Sequence, residues 1–221
     1  MSCYTIPRVK ICCISSKKEA LAVIKYGADA LGLVGHMPSG PGVIPDEDIR
    51  DIAAIVPPPI AAFLLTSETS AREIIRHHQK VNTNTIQLVD HIEEDEYVKI
   101  RKGLPGIKLV QVIHVVDRRS IAESIRCSPY VDAILLDSGN PNLKVKQLGG
   151  TGKTHNWDIS RKIRDSLDIP LFLAGGLTPE NVRDAIRQVE PFGVDVCTGV
   201  RTRGKLDTIK LSRFFEAVQS V

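Results

Sequence analysis

No apolar stretch of about 18 residues, the length a bilayer-spanning helix needs, occurs in this 221-residue chain, and its opening MSCYTIPRVK lacks the apolar centre of a secretory signal. Charge of one sign is also scarce: 29 Lys and Arg against 26 Asp and Glu leave a scattered net charge of +3. Aromatic residues make up only 5%, and none interleaves with a basic run, so nucleic acid and membrane surfaces are not expected partners. The five cysteines form no C-x-x-C pair, which argues against a disulfide frame or a structural zinc site and for free thiols in the cytoplasm. No metal is expected.

A phosphate cradle of the nucleotide-hydrolase kind is missing too. QLGGTGKTHNWD, residues 147–158, resembles one, but Gln147 stands where the first glycine of G-x-x-x-x-G-K-[ST] belongs. Asn140, Pro141 and Asn142 further separate this loop from the preceding apolar run, where a cradle would follow its strand directly.

What remains is a regular alternation. Eight short apolar, β-rich runs are legible at 9–15, 30–35, 60–66, 85–89, 109–115, 133–137, 171–175 and 194–199, and eight stretches of helical pattern lie between and after them. Thr178 with Pro179 reads as an N-cap and first helical position, and Gly27 as the C-terminal stop of the first helix. Eight such units over residues 1–221, without a linker to divide them, favour an α/β fold of one (β/α)8 TIM barrel domain; an open doubly wound sheet is the competitor, since periodicity does not show closure. In a barrel, chemistry gathers at the C-terminal ends of the strands.

In the first run, VKICCIS, a period of two places Lys10 and Cys12 on the inner face, with Cys13 packing outward as a small apolar side chain. Cys12 is then either a buried core thiol or, with Lys10 about 6–7 Å away on the same face, a thiolate with general-base character. Asp137 ends an otherwise apolar strand, as a loop cap or as a carboxylic acid kept protonated by burial. Gly175, Gly176 and Gly199, with Thr198, fall where the last two strands enter their loops, the usual phosphate site of such barrels; as tight turns alone they would also be unremarkable. Gly149, Gly150 and Gly152 lie in the long loop after the sixth strand, next in space to the seventh, and read as a flap over a phosphate.

These motifs together resemble the phosphoribosylanthranilate isomerases of tryptophan biosynthesis. VKICCIS is similar to that family's K-I-C-G-I-T start, GADALGLV to its second unit, IQLV to its fourth strand, GGTGKTHNWD to its flap, and LAGGLTPENV and GVDVCTGV to its phosphate end. The resemblance implies a ribulose-phosphate-binding barrel that isomerises a phosphoribosyl amine by an Amadori rearrangement. It implies Cys12 as general base, Asp137 as general acid, and Gly149, Gly150, Gly175, Gly176, Thr198 and Gly199 around the phosphate, with Lys10 and Gln87 also contacting substrate. No cofactor is implied, the partner is a small phosphorylated molecule, and the assembly is a monomer or homodimer.

Three positions depart from the family pattern. Cys13 replaces a glycine. No Arg or Lys occurs between Val34 and Arg50, where the family has an arginine for the anthranilate carboxylate; His36, His91 and His114 are the substitutes on paper. Val89 and Asp90 follow Gln87-Leu88 where the family reads histidine-glycine. The phosphate half of the site is therefore expected intact and the aromatic-acid half altered, which leaves open a same-mechanism isomerase for another sugar amine, or a non-catalytic phosphate-binding barrel.

Overall fold

The computed structural model describes residues 6–139, 152 and 154–221. Eight parallel strands close on themselves in sequence order: β1 (Arg8–Ile11), β2 (Ala30–Val34), β3 (Ala61–Thr66), β4 (Thr85–Leu88), β5 (Lys108–His114), β6 (Ala133–Asp137), β7 (Leu171–Leu173) and β8 (Gly193–Val196). The seam is the pairing of β1 with β8, which sets Lys10 opposite Asp195 and Ile11 opposite Val196. Closure decides for the barrel over the open sheet.

Strands buried on both faces read as nearly continuous apolar runs, and the two faces serve different layers. Along β6, Ala133 and Leu135 join an interior cluster with Phe63, Val110, Val112 and Phe172, whereas Ile134 and Leu136 join the larger layer between sheet and helices. The inner space is filled partly by aromatics, with Phe63 and Phe172 edge to face at 6.1 Å between centroids.

The helices are α1 (Lys17–Lys25), α2 (Asp46–Ala53), α3 (Ala71–Val81), α4 (Glu94–Gly103), α5 (Arg119–Cys127), α6 (Trp157–Asp165), α7 (Val182–Val189) and α8 (Thr208–Gln219). Several start on side-chain caps: Ser16 accepts from the Glu19 amide while Glu19 accepts from the Ser15 amide, and Asp207 accepts from the amides of Ile209 and Lys210. Gly27 ends α1 with φ +98°, as its position predicts. Thr178 is not an N-cap. Asn181 occupies that place, its side chain accepting from the Thr178 amide and donating to the Gly176 carbonyl, so that residues 178–181 form a turn and α7 starts at Val182. An antiparallel hairpin of β9 (Arg201–Thr202) and β10 (Lys205–Leu206) follows the last barrel strand. Among the described residues no helix is long and apolar enough to cross a membrane.

Candidate active site

At the C-terminal end of the barrel a cavity is lined by Cys12, Gln87, Asp137, Gly175, Gly176 and Thr198, six residues singled out from sequence, together with Gly152. Val34, Met37, Ser39, Gly40, Pro41, Leu65 and Val89 line its other side. Sequence position alone separates these groups widely. The barrel gathers them because each sits at or just beyond the end of a parallel strand.

Cys12 extends the β1–β8 pairing one residue past β1, its amide donating to the Val196 carbonyl at 2.8 Å. The chain then turns sharply. Cys13 takes φ +61°, which breaks the period of two and swings its thiol to the cavity side rather than outward, while Ile14 returns to the sheet–helix layer. The outward packing expected of Cys13 is thus corrected: its Sγ lies 2.6 Å from that of Cys197 and 3.6 Å from the Pro41 carbonyl oxygen. Arg201 braces this turn, donating to the Cys12 carbonyl at 3.4 Å and pairing with Glu19 at 3.0 Å.

A side-chain hydrogen bond from Cys13 draws the Cys12 thiol below its ordinary value; burial opposes this, and the Lys10 charge adds to the lowering. Cys13 is pushed the other way, held as a thiol by its hydrogen bonds to Cys12 and Cys197 and by burial. Burial lifts the carboxyl of Asp137, against the opposing pull of the Ser138 amide and His114. Its Oδ1 accepts from the Ser138 amide at 2.7 Å, so Asp137 caps its own strand end and lines the cavity at once.

Lys10 lies beneath the cavity rather than on its wall. It is fully buried, 2.8 Å from Asp195, with its ammonium 5.2 Å above the Phe63 ring centroid. Burial pulls its pKa down, but the charges of Asp195 and Cys12 more than offset this and leave it raised. Asp195, which does line the cavity, escaped the sequence reading; the available signal was a lone carboxylate on the inward parity of the apolar strand Gly193–Val196. Gln87 is 3% exposed, and its Oε1 has no hydrogen-bond partner among the described residues.

At the far end Gly175 and Gly176 adopt φ +84° and +62°, conformations that side chains resist, and a Cβ on Gly175 would stand 3.0 Å from the Ser138 amide nitrogen. Gly199 sits just behind the wall, packed so closely that a Cβ would meet the Leu177 carbonyl oxygen at 2.0 Å. Gly149 and Gly150 lie outside the described residues. Burial pushes His155, beside Gly175, down to about 4, so it is neutral. Among the described lining residues there is no lysine, arginine or histidine. Of the three histidines considered in place of the arginine, His36 and His91 are exposed, whereas His114 is buried beside Asp137, its Nε2 donating to the Val89 carbonyl at 3.0 Å.

The model of the N-(5'-phosphoribosyl)anthranilate isomerase family matches residues 9–217. The N-(5'-phosphoribosyl)anthranilate isomerase of Methanocella arvoryzae is 34% identical over 208 residues, covering 94% of this chain and 95% of its own. Among solved structures, monomers generated from the dimeric phosphoribosylanthranilate isomerase of Thermotoga maritima superpose with a TM-score of 0.79 at 30% identity, covering 97% of this chain and 100% of theirs. A phosphoribosylanthranilate isomerase in complex with reduced 1-(o-carboxyphenylamino)-1-deoxyribulose 5-phosphate gives 0.78 at 30% identity, with the same coverage.

Proposed function

The chain belongs to the N-(5'-phosphoribosyl)anthranilate isomerase family, and on that footing we propose that it converts N-(5'-phosphoribosyl)anthranilate to the corresponding 1-amino-1-deoxyribulose phosphate in tryptophan biosynthesis. The observation that carries the residue assignment is the opposed tuning of two groups on one cavity: a thiol drawn down at Cys12 and a carboxyl lifted at Asp137.

Asp137 donates a proton to the furanose ring oxygen as the C1–O bond breaks and the nitrogen lone pair forms a Schiff base. With Oδ1 tied to the Ser138 amide, Oδ2 is the oxygen suited to carry that proton. The Cys12 thiolate then removes the proton from C2, and its electron pair neutralises the iminium to give an enolamine. Tautomerisation yields the ketone. Backbone at Gly175, Gly176 and Gly199, the Thr198 side chain and flap residues Gly149 and Gly150 hold the phosphate, fixing C2 over the sulfur. Gln87 contributes a polar contact. Lys10 acts from below, keeping the thiolate favourable. Ring opening and the proton transfers all take place within one substrate, so the proposed reaction calls for no cofactor. The same reading takes the chain as one barrel domain, cytoplasmic, and a monomer or homodimer; free thiols and the likeness to a dimeric enzyme support it.

Steady-state kinetics on the purified protein test the assignment. Cys12→Ala and Asp137→Asn should each lower kcat by about 10²–10⁴-fold with a much smaller change in KM, the range general acid–base groups contribute. Unaltered kcat in either variant would contradict its role.

A second reading, an isomerase of the same mechanism for an amine without the anthranilate carboxylate, is favoured by the lack of a cation among the described lining residues. It predicts that an added arginine raises kcat/KM for phosphoribosylanthranilate by about tenfold, one charge-assisted contact. Pro41→Arg is the variant to measure, since Gly40 has φ +106° and would be strained by any side chain. A wild-type kcat/KM that Pro41→Arg leaves level or lowers rejects this reading.

A further inference from the structure

Cys13 follows Cys12 in a turn with positive φ, and its thiol points at a second one. The two Sγ atoms are 2.6 Å apart, one carried by the turn after β1 and the other by the residue before Thr198 at the end of β8. Their sequence separation is 184 residues, so only closure of the barrel joins them. Cys13 is 6% exposed and lies under Pro41 and Gly42, whereas Cys197 is partly open. Both also line a second hollow beside the catalytic cavity, bounded by Ser15, Arg201 and Gly204, which gives a small reagent a route that does not pass Asp137.

We propose that Cys13 and Cys197 form a dithiol modification site that a hydroperoxide converts to a disulfide, and that this bond switches off the neighbouring Cys12. The sulfur of the more open Cys197 attacks the peroxide and gives up its proton; the O–O bond breaks, sulfur keeps one oxygen as a sulfenic acid, and the other takes up that proton and leaves as alcohol or water. Cys13 then attacks that sulfur, the S–S bond forms, and hydroxide departs with the Cys13 proton as water. Two electrons from the two thiols reduce one peroxide, and a dithiol reductant reverses the change. The disulfide consumes the S–H of Cys13, the residue next to Cys12, and ties the turn after β1 to the end of β8 beside Thr198. Its effect on turnover rests on the reading of Cys12 as base; its formation does not.

Reduced protein freed of reductant is treated with hydrogen peroxide, alkylated, digested with trypsin and mapped by fragmentation mass spectrometry, with activity measured before and after. Peptide 11–17 should be linked to the Cys197 peptide through Cys13, and the same link should form in Cys12→Ser. Wild-type activity should fall at least about tenfold and return with dithiothreitol, while Cys197→Ser keeps most of its own untreated activity. Free, alkylated Cys13 and Cys197 after peroxide, or a link through Cys12, overturns the site. A link with undiminished activity overturns the switch. An active Cys12→Ala would instead overturn the base assignment, with the crosslink result unaffected.

Discussion

Asp137 and His114 stand directly opposite each other on β6 and β5, and this pairing makes the acid testable one residue at a time. In the proposed role of general acid Asp137 has to hold a proton, so kcat/KM should fall as pH rises through its lifted value. Burial is the main cause of the lift, Asp195 adds to it, and the Ser138 amide, His114 and Lys10 oppose it. In His114→Leu one opposing group is gone, and the limb of the pH–rate profile set by Asp137 should move to higher pH; a limb that stays put or moves lower would contradict the contact. The sequence announced Asp137 because a carboxylate closing an apolar run is conspicuous. It could not announce Cys13 correctly, because a period of two extrapolates only while the strand lasts, and β1 stops at Ile11. Asp195 was hidden for the opposite reason: inside GVDVC a single carboxylate looks like strand punctuation until its buried partner Lys10 is known.

Helix α3 owes part of its place to one histidine. His77 is 6% exposed, with Nδ1 3.1 Å from Glu68 after β3 and Nε2 3.1 Å from Asp46 at the start of α2. The hydrogen bond to Glu68 raises its pKa above the ordinary 6.5; burial opposes, and the charges of Glu68 and Asp46 reinforce the rise. Protonated His77 therefore stabilises the fold fully below pH 6.5, and this contribution is lost as pH rises through the raised folded value. Glu68 is lowered, so its share is present above 4.5 and lost as pH falls. Because both carboxylates are about a third exposed, the loss in His77→Gln should be about 1–2 kcal/mol by urea unfolding at pH 6, shrinking at pH 9. An equal loss at both pH values would contradict the charged network. At this scale the sequence was most legible: every helix and barrel strand forms near its expected place, with ends shifted by caps. The β9–β10 hairpin was missed because its turn, Arg203-Gly204, needs positive φ at both residues (+53° and +77°) and its strands are too short to show a period.

The whole molecule depends on the seam that closes it. Lys10 and Asp195, 0% and 7% exposed, meet across β1 and β8 as a buried pair at the floor of the cavity. Asp195→Ala should cost about 3–5 kcal/mol by leaving the ammonium unpaired, whereas Lys10→Met with Asp195→Leu should recover most of that loss, since a buried pair contributes little beyond an apolar replacement. A double variant as unstable as the single one would show that the pair itself, rather than the orphaned charge, holds the seam. Closure is also what periodicity could not reveal, because an open sheet has the same alternation; the motifs at the two chain ends, brought together only by a barrel, were the stronger signal. A substrate bound between Cys12 and Asp137 is seen most directly in a crystal structure with reduced 1-(o-carboxyphenylamino)-1-deoxyribulose 5-phosphate bound. The phosphate should rest on Gly175, Gly176 and Thr198, C2 about 3–3.5 Å from the Cys12 sulfur, and the C4 oxygen within hydrogen-bond reach of Asp137. A phosphate bound elsewhere, or a sugar whose C2 faces away from Cys12, would contradict the account.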